Sequence, residues 1–221
     1  MKVLVACEFS GTVRDAFIRQ GHEAVSCDLL DSEAPGPHYK GDVFDIIDDG
    51  WDLMIAHPPC TYLTISAEWC YSDNPGRNMK PGTLIGAERR AAREEAIEFF
   101  RRLLGAKKIK KKAIENPVGV ISSRIRKPNQ IIQPHQFGHD ASKATCLWLE
   151  GLPLLQPTIS IPGRVVGINK RGQPIYRWEN QTDSGQNRLP PSEDRWKKRS
   201  ETYAGIANAM AVQWGGMFEF N

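Results

Sequence analysis

Apolar residues in the first part of the chain come in short unbroken runs rather than in strict alternation. Val3-Leu4-Val5-Ala6-Cys7 has no polar member, which is the pattern of a parallel strand covered on both faces. From Thr12 to Gln20 the spacing becomes helical, with Val13, Ala16 and Phe17 on one face and Gly21 as the stop. Glu23 to Cys27 predicts a second strand ending in Asp28, and Gly41-Asp42-Val43 closes a loop rich in Asp, Pro and Gly. Asp52 to Ala56 predicts a strand that runs into His57-Pro58-Pro59-Cys60, where proline must take the backbone out of the sheet. A long loop to roughly residue 85 follows, then a helix over Ala87–Leu104 and a strand, Ala113-Ile114, ending in Glu115-Asn116-Pro117. Alternating strands and helices on this scale predict an α/β fold with a doubly wound, mostly parallel sheet.

The character changes after Gly151. Residues 151–198 hold many Pro, Gly, Asn, Gln and Arg with few periodic apolar runs, and read as a small irregular insertion. Helical spacing returns with Tyr203, Ile206, Met210 and Trp214 on one face, so 1–150 and 199–221 are expected to form one core. With 221 residues, 40% of them hydrophobic and 25% charged, the chain can bury a substantial core. No apolar run approaches the ~18 residues of a membrane span, and the N-terminus reads as a strand rather than a signal peptide. Five cysteines without C-x-x-C pairs point to reduced thiols in a cytoplasm, and no metal is expected. The net charge of +3 is mild, but Arg101, Arg102, Lys107, Lys108, Lys110, Lys111, Lys112, Arg124, Arg126 and Lys127 crowd one span. That span is either a phosphate-facing surface or a solvated helix end and loop.

In a doubly wound sheet the carboxyl ends of the strands line one crevice. Glu8 to Gly11, Asp28, Asp42, Pro58 to Cys60 and Glu115-Asn116 would therefore converge. An acid ending the second strand suits ribose hydroxyls, a further acid suits an adenine amino group, and the small-residue turn Ser10-Gly11 lets a ligand approach the backbone. Together they describe a nucleoside-containing cofactor, although an Asp after a strand is by itself more often a cap or turn residue.

HPPCTYLT and IENP, in that order behind CEFSG, CD and GD, resemble the cytosine-C5 DNA methyltransferase family. YAGIANAMA is similar to the family's last motif, and FGHDASKATCLWLEGLPLL to a version found in short, phage- or prophage-type members. The resemblance covers about residues 1–150 and 199–214. It implies a Rossmann-like fold that uses S-adenosylmethionine, and a double-stranded DNA partner whose target cytosine is flipped out of the helix. Cys60 would be the nucleophile that adds to C6, Glu115 the acid at N3, and Asn116 the residue shaping the turn that aims it. Cofactor contacts are implied at Glu8, Phe9, Ser10, Gly11, Asp28, Asp42, Pro58 and Asn208. Lys143 falls where the family carries paired arginines; it is either a substrate contact or a plain surface lysine. Thr12 and Val13 stand where further glycines are expected. Arg164, Lys170, Arg171, Arg177 and Arg188, with Tyr176 and Trp178, fit either phosphate and base contacts or a basic loop.

A cysteine after Pro-Pro points to ring-carbon chemistry, whereas amino-methylating relatives place an aromatic there. The other readings are a methyltransferase-like DNA-binding module without catalysis, and the same chemistry on RNA or a free nucleotide.

Overall fold

Seven strands of the computed structural model form one mixed sheet: β1 (Lys2–Ala6), β2 (Glu23–Asp28), β3 (His38–Lys40), β4 (Leu53–Ala56), β5 (Lys111–Pro117), β6 (Gln130–Ile132) and β7 (Thr145–Glu150). Their order is β3-β2-β1-β4-β5-β7-β6. The first five in that order are parallel, and β7 runs antiparallel between β5 and β6. The fold is α/β with a mostly parallel sheet, compatible with a Rossmann-like architecture. The structure describes residues 1–76, 78–192 and 195–216, so 217–221 of the expected core lie outside the described residues.

Successive side chains of a strand face opposite sides, and the core divides accordingly. Val3, Val5, Leu53, Ile55 and Ala113 pack with α1 (Thr12–Arg19) and α5 (Ala204–Gly215) through Phe17, Met210 and Trp214. Leu4, Ala6, Met54, Ala56 and Ile114 pack on the other side with Ile97, Phe100 and Leu103 of α2 (Gly86–Leu104). One short helix, α3 (Ile121–Arg124), follows β5.

Three elements differ from the sequence reading. The three-residue β3 lies inside the expected loop; β1 stops at Ala6, where Cys7 adopts φ +58° and breaks the extended run. The insertion contains a regular hairpin, β8 (Arg164–Ile168) with β9 (Pro174–Arg177). It is anchored rather than loose. Asn180 exchanges two 2.9 Å hydrogen bonds with the Ser142 backbone, and Trp178 stacks on His135 at 4.1 Å. After it comes α4 (Arg195–Ser200), whose Trp196 ring lies 6.0 Å from Phe9.

Candidate active site

Parallel pairing of β4 with β5 sets Ala56 beside Ile114. The next residues along are His57 and Glu115, both on the α1/α5 side by alternation, and they meet: His57 Nδ1 lies 3.1 Å from Glu115 Oε2. One residue further, Asn116 is buried and donates from Nδ2 to the Pro58 carbonyl at 2.9 Å. The two strands thus hold the Pro-Pro segment at both its start and its flank. Beyond it, the Cys60 carbonyl accepts from the Leu63 and Thr64 amides at 2.9 and 3.1 Å, closing a tight turn. Arg93 of α2 secures that turn by donating to the Tyr62 carbonyl at 2.9 Å. Cys60 is left exposed at its head, while Cys27, Cys70 and Cys146 are buried.

His57, Glu115, Lys143, Thr145, Tyr203 and Met210 line a small cavity at this strand end. Burial and neighbouring charges together set the ionisation of Cys60 and Glu115. Burial and the Glu115 charge push the Cys60 thiol above its ordinary range, against the lowering effects of Lys143, a backbone hydrogen bond and Arg199. Burial also pushes Glu115 upward, but the His57 hydrogen bond and charge, with Lys143, hold its carboxyl below the usual glutamate range. At neutral pH the site therefore pairs a protonated thiol with an ionised carboxylate. Cys60, Glu115 and Lys143 come together; Lys143 also donates to the Glu201 carbonyl at 3.2 Å.

The residues expected at the cofactor divide. Burial first, and then the charges of Asp28 and Asp42, raise the Cys7 and Cys27 thiols, Cys27 to about 12, so the two carboxylates share one neighbourhood at the ends of β1 and β2. Asp28 Oδ1 accepts from the Leu30 amide and Asp42 Oδ1 from the Phe44 amide, each at 3.0 Å. Each carboxylate thus keeps an oxygen with no partner among the described residues, and Phe9 is half-buried with its ring 6.0 Å from that of Trp196. Two such carboxylates could accept from ribose hydroxyls and an adenine amino group.

Glu8 is placed differently. Its oxygens accept from the Val13 and Arg14 amides at 2.7 and 3.2 Å, satisfying the free N–H groups that begin α1. Ser10 donates to the same carboxylate at 3.3 Å. Gly11 takes φ +76°, and a Cβ there would strike the Arg14 guanidinium. Pro58 is buried with its carbonyl on Asn116. Asn208 lies on the exposed side of α5 and accepts at 3.0 Å from Arg19, the last residue of α1.

The basic residues also sort themselves. Lys107 to Lys112 lie where β5 begins, the sheet end opposite Cys60, and several are neutralised within the fold. Lys112 is buried against Glu150 at 2.8 Å, Lys108 meets Asp48 at 3.2 Å, and Arg124 meets Glu94 at 2.6 Å. In the insertion Arg164 serves the Trp178 and Gln181 carbonyls and Asp183, and Arg188 pairs with Glu179. Trp178 is held by His135 and by the Ile161 carbonyl. Lys170, Arg171 and Tyr176 remain exposed on the hairpin.

Sequence reasoning missed His57. A lone histidine is usually structural, but its place directly before Pro-Pro, one step beyond the β4–β5 register, is a usable signal. No protein-family model matches the chain, and no curated protein matches it in sequence.

Proposed function

We propose that this protein is a DNA cytosine-C5 methyltransferase. The observation that carries the reading is the meeting, at the ends of β4 and β5, of an exposed Cys60 with Glu115 and Lys143. Cytosine C5 is a poor nucleophile until a thiolate adds to C6, and that addition needs an acid at N3. As the Cys60 thiol gives up its proton to the Glu115 carboxylate, Sγ forms the bond to C6, the C5=C6 π pair moves into C4=C5, and the C4=N3 pair takes that proton at N3 from Glu115. Asn116 fixes the Pro58 backbone and so the approach of Cys60. Lys143 and Arg199 place positive charge beside the thiol, which favours an anionic polymer over a neutral base. S-adenosylmethionine, when bound, supplies the electrophilic methyl group. Asp28, Asp42 and Phe9 would hold its nucleoside. Loss of the C5 proton then restores the ring and releases Cys60.

Radiolabelled methyl transfer from S-adenosylmethionine to duplex DNA, followed by nucleoside analysis, tests the reading: label in 5-methylcytosine is expected, and label on an exocyclic amine or none at all contradicts it. One observation favours the non-catalytic DNA-binding alternative, namely that both Glu8 oxygens are already engaged by α1. Calorimetric titration with S-adenosylmethionine separates the two, since the enzyme must bind it and the bare module need not.

A further inference from the structure

Near the end of β5 the Glu115 side chain is only 15% exposed, and burial by itself would drive such a carboxyl toward its neutral form. The addition at Cys60 needs the opposite, an ionised Glu115 with one oxygen open. The His57 ring answers both needs. Its Nδ1 lies 3.1 Å from Glu115 Oε2, while Oε1 has no hydrogen-bond partner among the described residues. His57 Nε2 is buried and also has no partner, so the bond to Glu115 is the ring's only hydrogen bond among those residues. An apolar side chain would fill the same space without the cost of that unpaired nitrogen. A ring kept at such a cost for one bond serves the group at the other end of it.

We infer that His57 is a positioning residue for Glu115: its Nδ1 donor pins Oε2 and leaves Oε1 to take the Cys60 proton and pass it to cytosine N3. The inference rests on the cytosine-C5 reading. Only a donor at Nδ1 is asked of the ring, and Nε2 takes no part. The proton balance is that of the addition itself. The S–H bond breaks, the S–C6 and N3–H bonds form, and Glu115 is ionised again when the adduct is complete. The other charged and titratable groups around Glu115 come from separate elements. Lys143, ahead of β7, also favours the carboxylate, but its Nζ donates to the Glu201 carbonyl at 3.2 Å. On β7 the Cys146 thiol is raised by burial and by Glu115, and Tyr203, ahead of α5, lines the same cavity with its hydroxyl raised by burial. Cys60 has Arg199 on its own side. Among the described residues only His57 hydrogen-bonds the carboxylate.

The test titrates Glu115 by infrared spectroscopy, following the protonated-carboxyl stretch that Glu115→Gln removes. In parallel it measures exchange of the cytosine C5 hydrogen with solvent deuterium in saturating random-sequence duplex DNA, across pH. His57→Leu and His57→Phe both remove the donor, the second keeping a ring, and His57→Asn keeps an N–H near the place of Nδ1. Without the donor, burial is opposed only by Lys143, so Glu115 should hold its proton to higher pH and the acid limb of exchange should move up with it. At neutral pH the donor-free variants are expected to exchange about tenfold or more slowly than wild type, since each unit of limb is tenfold in rate, and to close most of that gap in alkaline buffer. The Asn variant should stay within about threefold of wild type at neutral pH. A titration and a limb that do not move in the donor-free variants, or an Asn variant displaced as far as they are, overturns the inference. A rate lost equally at every pH also overturns it, because that is what a disturbed fold alone would give. Wild-type protein that exchanges no cytosine, beside a Glu115 titration that shifts without the donor, overturns the cytosine-C5 reading and leaves the His57–Glu115 pairing standing.

Discussion

Two side chains, Glu115 and Cys60, carry the proposed chemistry, and each has a measurable signature of its own. Glu115 is held below the ordinary glutamate value of 4.5 in the folded protein. Its charged state therefore stabilises the fold above that value, and the contribution is lost as pH falls through the lowered folded value. Acid unfolding followed by circular dichroism should show that loss, and Glu115→Gln should flatten it; an unchanged acid limb in the variant would contradict the pairing with His57. The same substitution should slow methyl transfer by about 10²–10⁴-fold, because it removes a proton donor from the addition step. Cys60 is exposed yet its thiol is raised, so access and ionisation pull in opposite directions. Alkylation by iodoacetamide should label Cys60 ahead of the buried Cys27, Cys70 and Cys146, with a rate that climbs beyond pH 9. Rapid labelling at pH 7 with no pH dependence would mean that the thiol is already ionised.

At the scale of elements, the site depends on how firmly the strand ends and their turns are held. Arg14 is the clearest case, a fully buried guanidinium on α1. It donates to Ser26 and Ser32 at 3.1 Å and to the Ala34 and Pro35 carbonyls at 3.2 and 3.0 Å, and it meets Asp15 at 2.7 Å. It thus ties the loop after β2, including the approach to Asp28, onto α1. Arg14→Ala should cost about 3 kcal/mol or more in urea unfolding, because a large buried side chain goes and several acceptors lose their donor. A loss below about 1 kcal/mol would show that the loop holds itself.

Much of this layer was legible in the sequence. β1, α1, β2, β4 and α2 announce themselves through unbroken apolar runs or helical spacing, since burial on both faces or one dictates those patterns. β3 was not legible, because three half-exposed residues carry no period. The antiparallel course of β7 was hidden too, because a run such as Cys146-Leu147-Trp148-Leu149 has the same composition in either direction. The cysteine and the acid were visible in PPC and ENP. The His57–Glu115 contact needed the neighbour relation of β4 and β5, which no local stretch encodes. Glu8 shows what a motif leaves out: its carboxylate accepts from the amides that begin its own helix, a contact no local stretch announces.

For the whole molecule, the distribution of charge matters more than its sum of +3. Lysines where β5 begins are partly neutralised by acids of the fold, whereas Lys143 and Arg199 sit beside Cys60, and Lys170 and Arg171 stand on the exposed hairpin. Binding of duplex DNA should therefore weaken steeply with salt, and Lys170→Ala with Arg171→Ala should reduce the slope of log affinity against log salt by up to about 2. A free nucleotide substrate would give a shallow slope that these changes leave alone. The most direct measurement is covalent trapping on random-sequence duplex DNA containing 5-fluorocytosine, with S-adenosylmethionine present. Fluorine at C5 cannot leave as a proton does, so the addition product cannot resolve. The expected result is a protein–DNA adduct that survives denaturation and is absent for Cys60→Ser. An adduct that persists in Cys60→Ser, or none from wild-type protein shown to bind both DNA and S-adenosylmethionine, would contradict a covalent cytosine-C5 mechanism at Cys60.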